Sequence, residues 1–173
     1  NLTTVNHAYG SVQITVSVND GTVTTSNTYD INVSAVNDIP VFSGTFAGTA
    51  TEDIGTQSSG TISIDDNDTG ENIFQDVNAT GTYGTFVLDT NGSWTYDINS
   101  SLSSVQELAG GDIGVDNFIV TSDDGNVSQI FSISISGVND APTFVTDLIS
   151  FSVNEDNGTI SYELNATDIE GED

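Results

Sequence analysis

Four stretches of strict alternation, with an apolar residue at every second position, constrain this chain more than any other feature. Val12, Ile14, Val16 and Val18 form the first, and Tyr29, Ile31 and Val33 the second. Trp94, Tyr96 and Ile98 form the third, and Phe131, Ile133 and Ile135 the fourth. A period of two turns one side of a strand to a core and the other to solvent. Thr, Ser, Val and Ile, which suit a pleated surface, fill the rest of these stretches. Turn residues separate them, at Asn19-Asp20-Gly21, Asn91-Gly92 and Asp124-Gly125. Asn91-Gly92, between residues 86–88 and 94–98, predicts a tight two-residue hairpin of type I′. A short helix is expected over residues 103–109, with Ser103 and Gln106 as a capping box and Gly110 as its stop. The fold class is therefore all-β.

The pattern repeats. Asp20-Gly21 up to Val36-Asn37-Asp38-Ile39-Pro40 returns as Asp124-Gly125 up to Val138-Asn139-Asp140-Ala141-Pro142, and Glu52-Asp53 returns as Glu155-Asp156. An offset of about 100 residues is the size of one β-sandwich module. Three units follow: residues 1–39 as the last two strands of one module, 40–141 as a complete module, and 142–173 as the first two strands of a third. Asn1 opens in mid-pattern without an initiator Met or signal peptide, so an internal piece of a longer exported chain is expected.

Charge narrows the partners. The 173 residues include 26 Asp and Glu, one His, and neither Lys nor Arg, for a formal charge of -26. An average domain of this size would carry about 20 basic residues. With none, carboxylate repulsion is relieved only by water, salt or bound cations. Nucleic acid is excluded, because nothing neutralises phosphate. No apolar run approaches the ~20 residues of a membrane span, so direct membrane insertion is not expected. Without Cys, stability must come from the core or from metal.

Five motifs in order carry a resemblance. They are Ser59-Gly60-Thr61-Ile62-Ser63-Ile64, Asp66-Asn67-Asp68-Thr69-Gly70-Glu71-Asn72, Gly81-Thr82-Tyr83-Gly84-Thr85-Phe86, Asn91-Gly92-Ser93-Trp94-Thr95-Tyr96 and Gly137-Val138-Asn139-Asp140-Ala141-Pro142. With them, residues 40–141 resemble the VCBS-repeat family of large bacterial surface proteins. The flanking half-modules resemble bacterial cadherin-like repeats. The resemblance implies tandem Ig/cadherin-like Greek-key β-sandwich modules of seven strands, in an extracellular, secreted or cell-surface adhesin or matrix protein.

Oxygen-rich residues cluster at the module boundaries, and calcium takes six to eight oxygen ligands from carboxylates, Asn side chains and carbonyls. Asn37-Asp38-x-Pro40 resembles the cadherin linker, whose Asn and Asp bind calcium between domains. Asp66-x-Asp68 and Asp168-x-Glu170 resemble the cadherin loop between the second and third strands. Glu52 resembles the first-strand Glu that reaches the opposite junction. The first expected site joins Asn37, Asp38, Asp66, Asp68 and either Asp123 or Asp124. The second joins Glu52, Asn139, Asp140, Asp168 and Glu170, with Asp112 or Asp116 to complete it. Alternatively, acidic loops simply terminate strands, as Asp, Asn and Gly commonly do.

Alternation places Trp94 with Tyr96 on a buried face; an exposed Trp would instead stack on sugar. His7 reads as incidental. With one His, no Cys and no Lys, nucleophilic catalysis has little material, and no enzyme is expected. The expected function is a calcium-stiffened spacer whose partners are neighbouring modules of the same chain. The alternatives are a glycan-binding adhesive module, and a filament subunit in which copies complete each other's half-modules head to tail.

Overall fold

Alternating residues pair where the period-two pattern places them. The computed structural model describes residues 3–54, 58–145, 154–156, 158–159, 161 and 165–171. β1 (Gly10–Asn19) and β2 (Thr24–Val33) form a two-stranded antiparallel sheet in which Val12 opposes Ile31 and Ile14 opposes Tyr29.

Residues 41–136 build a β-sandwich. Its strands are β3 (Val41–Gly44), β4 (Ala47–Thr51), β5 (Ser58–Asp65), β6 (Val77–Thr80), β7 (Gly84–Leu88), β8 (Ser93–Ile98), β9 (Ile113–Thr121) and β10 (Ser128–Ser136). One sheet has the order β3-β5-β8-β7-β6 and the other β4-β10-β9. The first strand of the module divides between the sheets: β3 pairs antiparallel with β5, and β4 pairs parallel with β10. Gly44, at the break, has φ +109°, a conformation that side chains other than Gly resist. Seven strands thus become eight segments.

The inward faces meet in an aromatic core. Phe86 stacks on Phe118 with ring centroids 4.8 Å apart and lies 4.9 Å from Phe131, while Trp94 meets Phe131 edge-on at 4.7 Å. Such pairs add about 0.5–1.5 kcal/mol each beyond area burial. Trp94 is 6% exposed, as its alternation predicts. Its ring fills the space over Gly60, where a Cβ would stand 2.9 Å from Cζ2.

The repeat is visible in register. Val12 opposes Ile31 in β1–β2, and Asp116 opposes Ile133, 102 residues beyond Ile31, in β9–β10. β11 (Thr143–Phe144) and β12 (Ala166–Thr167) pair Thr143 with Thr167 and Phe144 with Ala166. Those pairs match Val41 with Asp65 and Phe42 with Ile64.

Three local expectations need correction. Asn91 does not have positive φ, as a type I′ turn demands; only Gly92 does, at +85°. The Asp89 and Gly92 N–H groups donate to the Ser93 and Asp89 carbonyls, which describes a three-residue loop ending in a bulge at Gly92. The helix α1 spans only Ser103–Gln106, starts from Leu102 and has no side-chain cap. Gln106, expected in the capping box, donates instead to Glu52 Oε1 at 3.1 Å.

Candidate metal centre

Three carboxylates converge where the β1–β2 unit meets the sandwich. Asp66 follows β5, Glu71 lies in the loop beyond it, and Asp124 sits in the β9–β10 hairpin. Each offers an oxygen, and these three oxygens lie within 4.8 Å of one another. Asp66 is only 7% exposed. Its Oδ1 accepts the Asp68 N–H at 2.8 Å, and its own N–H donates to Asn72 Oδ1 at 2.6 Å. Among the described residues, Asp66 Oδ2 and Glu71 Oε2 are buried and have no hydrogen-bond partner. A buried acceptor without a partner costs about 1–3 kcal/mol, more when charged. Burial, then Asp68, Asp66 and Asp124 in turn, raise Glu71 above its usual carboxylate range. Asp124 is lowered to about 2, chiefly by the Ser122 hydroxyl and then the Asn126 N–H.

The linker ties to this cluster. Asn37 Nδ2 donates to Asp124 Oδ2 at 3.2 Å and to the Asp38 carbonyl at 2.7 Å, and the Asp38 N–H donates to Asp68 Oδ2 at 2.6 Å. The structure thus brings together Asn37, Asp38, Asp66, Asp68 and Asp124, adds Glu71, and favours Asp124 over Asp123. Glu71 stood in the Gly70-Glu71-Asn72 motif but not among the expected ligands, because the loop's path decides that its side chain turns back on Asp66. His7 is not incidental: its Nδ1 lies 2.7 Å from Asp38 Oδ2, with the residue held at φ +59°.

The second junction repeats these bonds 102 residues on. The Asp140 N–H donates to Glu170 Oε1 at 2.7 Å, the Glu170 N–H to Asp168 Oδ1 at 3.1 Å, and Asn139 Nδ2 to the Asp140 carbonyl at 2.5 Å. Glu52, fully buried, accepts the Val138 N–H on Oε2 at 3.1 Å. Burial raises Glu52, and Asp53 and Asp140 add to the effect against the lowering Val138 bond. Among the described residues these side chains do not close into a cluster as tight as the first.

Asp116 does not complete that junction. It is 3% exposed and accepts from the Thr82 N–H at 2.7 Å, the Tyr83 N–H at 3.1 Å and the Tyr96 hydroxyl at 2.7 Å. All its bonds face the β6–β7 turn and the core. The Asp112 carbonyl accepts the Gly137 N–H, so that residue does border the second junction.

No curated protein matches the chain. Among solved structures, mouse protocadherin-24 EC1-3 is 21% identical with a TM-score of 0.43, over 95% of this chain and 57% of that one. Human protocadherin-24 EC1-2 is 16% identical with a TM-score of 0.38, over 80% and 70%. Protocadherin gammaB7 EC3-6 is 15% identical with a TM-score of 0.43, over 93% and 42%. This chain therefore spans 57% of the first and 42% of the third. A family model described as bacterial cadherin-like domain matches residues 37–137, more than half of the 173. The chain belongs to the bacterial cadherin-like domain family.

Proposed function

We propose that this chain is a calcium-stiffened structural segment of a large extracellular bacterial adhesin or matrix protein. The observation that carries the reading is the pair of unpartnered buried oxygens, Asp66 Oδ2 and Glu71 Oε2, in a chain with no Lys or Arg. No side chain of this protein apart from His7 can neutralise them, and a hard divalent cation is the ligand that carboxylate, amide and carbonyl oxygens suit. At the first junction Asn37, Asp38, Asp66, Asp68, Glu71 and Asp124 would hold the ion. At the second, Glu52, Asn139, Asp140, Asp168 and Glu170 would do so. The ion supplies charge neutralisation and ties the linker to loops of the module beyond it, which restrains interdomain bending.

The VCBS-like motifs, the repeat of the junction bonds and the extreme acidity support a spacer in an exported tandem array. Among the described residues no helix is long and apolar enough to cross a membrane. A sugar-stacking role for Trp94 has no support, since its ring lies in the core. Calcium titration followed by thermal unfolding and small-angle scattering together tests the reading. Extracellular sites bind at ~10⁻⁴–10⁻³ M, so 10 mM calcium should stabilise by about 1.4–2.7 kcal/mol per site and lengthen the particle. Equal melting temperatures in chelator and calcium at matched ionic strength refute it.

A further inference from the structure

β9 is the one long edge of the sandwich. Four strands end its two sheets: β3 and β6 with four residues each, β4 with five, and β9 with nine. Exposed edges are ordinarily blunted by shortness, charge or Pro, and the first three are short. β9 has no Pro, and its one charged side chain, Asp116, is buried. The bonds flanking β9 set its phase: the Gly137 N–H donates to the Asp112 carbonyl, and the Ser122 N–H to the Val127 carbonyl. Even-numbered residues of β9 therefore bond to β10. The N–H and carbonyl groups of Ile113, Val115, Asn117 and Ile119 point the other way, with no partner among the described residues. This edge already takes a strand at one end. Residues 73–75 pair on it, through Gln75 N–H to the Thr121 carbonyl and Asp123 N–H to the Ile73 carbonyl. The chain then crosses to the other sheet as β6.

We infer that the rest of this edge, residues 113–119, pairs antiparallel with the same edge of a second copy of the chain, Asn117 opposite Asn117. The side chains of these residues favour the pairing. Ile113, Val115 and Ile119 are 60%, 48% and 67% exposed on the outer face, and the register sets Val115 of each copy beside Ile119 of the other. It also leaves each inward Asp116 opposite a Phe118 and keeps the two carboxylates from standing opposite one another. The ladder stops at Thr121, whose carbonyl Gln75 occupies. Charge selects the occupant. The outward residues of β4, β10 and β9 include no Asp or Glu, in a chain that has 26 of them and neither Lys nor Arg. A second copy brings no Lys or Arg to an acidic surface, so it can approach without repulsion only where carboxylates are missing. Asp112 and Asp123 lie beyond the two ends of the edge. Seven residues span about 23 Å, a small contact of the weak class, so the association is concentration-dependent. The same patch serves both copies, and the pair closes as a dimer.

The test uses the full 173-residue chain in calcium. Sedimentation should show a mass that rises with concentration from monomer toward dimer, more readily as sodium chloride screens the carboxylates at the strand ends. Ile119→Glu, at an exposed position, should return the chain to monomer with its circular dichroism unchanged. Asn117→Pro removes an N–H that only the second copy would use and should do the same. The chain has no Cys, so single cysteines read the register. Asn117→Cys meets its counterpart at a Cα separation of about 5.5 Å, which suits a disulfide, and should cross-link under oxidation. Val115→Cys stands about 13 Å from its counterpart and should not. Monomer at every concentration overturns the inference and leaves the edge to a strand of another protein. Equal cross-linking of the two cysteine variants overturns it, as does association that survives both Ile119→Glu and Asn117→Pro.

Discussion

Asp116→Ala should be among the most damaging single substitutions in the sandwich. The wild-type carboxylate satisfies the Tyr96 hydroxyl, which is fully buried, and the N–H groups of Thr82 and Tyr83, which lie nearer solvent. Stranding the buried hydroxyl costs about 1–3 kcal/mol, and each N–H that water reaches loses about 0.5–1.5 kcal/mol. The expected loss is about 2–6 kcal/mol. Tyr96→Phe alone removes one donor and should cost about 1–2 kcal/mol. Because the two groups share a bond, the double variant should cost less than the two single variants together, by about 0.5–3 kcal/mol. The assay is urea unfolding in calcium, followed by Trp94 fluorescence, which reports the core directly. The close approach of the turn gives a second handle, since a Cβ at Gly81 would stand 2.3 Å from Asp116 Oδ2. If Asp116→Ala stays within 0.5 kcal/mol of wild type, the carboxylate does not organise this turn and the reasoning fails.

Trp94→Ala removes the ring that meets Phe131 and fills the space over Gly60; it should cost about 3–5 kcal/mol in urea unfolding read by circular dichroism. A variant of wild-type stability would mean the ring is not core. Glu52 has a folded pKa above its unfolded value of 4.5. Its contribution in chelator is therefore fully present below about pH 4.5 and is lost as pH rises through the folded value. Glu52→Gln in chelator should flatten that part of the stability-pH curve and raise the melting temperature at neutral pH. An unchanged curve would show that burial of this charge is not costly.

Much of the sandwich is legible in sequence because burial follows a period of two. Trp94 and Tyr96, and Phe131 with Ile133, fall where alternation puts them, and a recurring Asn-Asp-x-Pro marks the repeat. Features set by three-dimensional path are less legible. The break of the first strand at Gly44 depends on two sheets competing for one segment. The loop closed by Gly92 differs from a type I′ turn by a single residue of positive φ. Asp116 looks from sequence like any acidic residue near a junction, yet its alternation phase, shared with Phe118 and Val120, points it inward. That phase was the available signal. Glu71 had no such signal, since a loop has no period.

In the proposed function particular oxygens hold calcium, as distinct from cations screening a charge of -26. Asp66→Asn with Glu71→Gln keeps side-chain shape and leaves Asp66's bond to the Asp68 N–H in place, while removing two buried charges. Asp97→Asn removes one exposed charge from β8. The deciding measurement is the melting temperature of wild type and both variants in chelator, 10 mM calcium and 10 mM magnesium at one ionic strength. The double variant should melt above wild type in chelator, because the unpartnered charges are gone, and should lose most of its calcium gain. Asp97→Asn should respond as wild type does, and magnesium, which demands tight octahedral geometry, should substitute poorly. Equal calcium gains in the double variant and in Asp97→Asn would refute specific coordination and reduce the ion to a counterion.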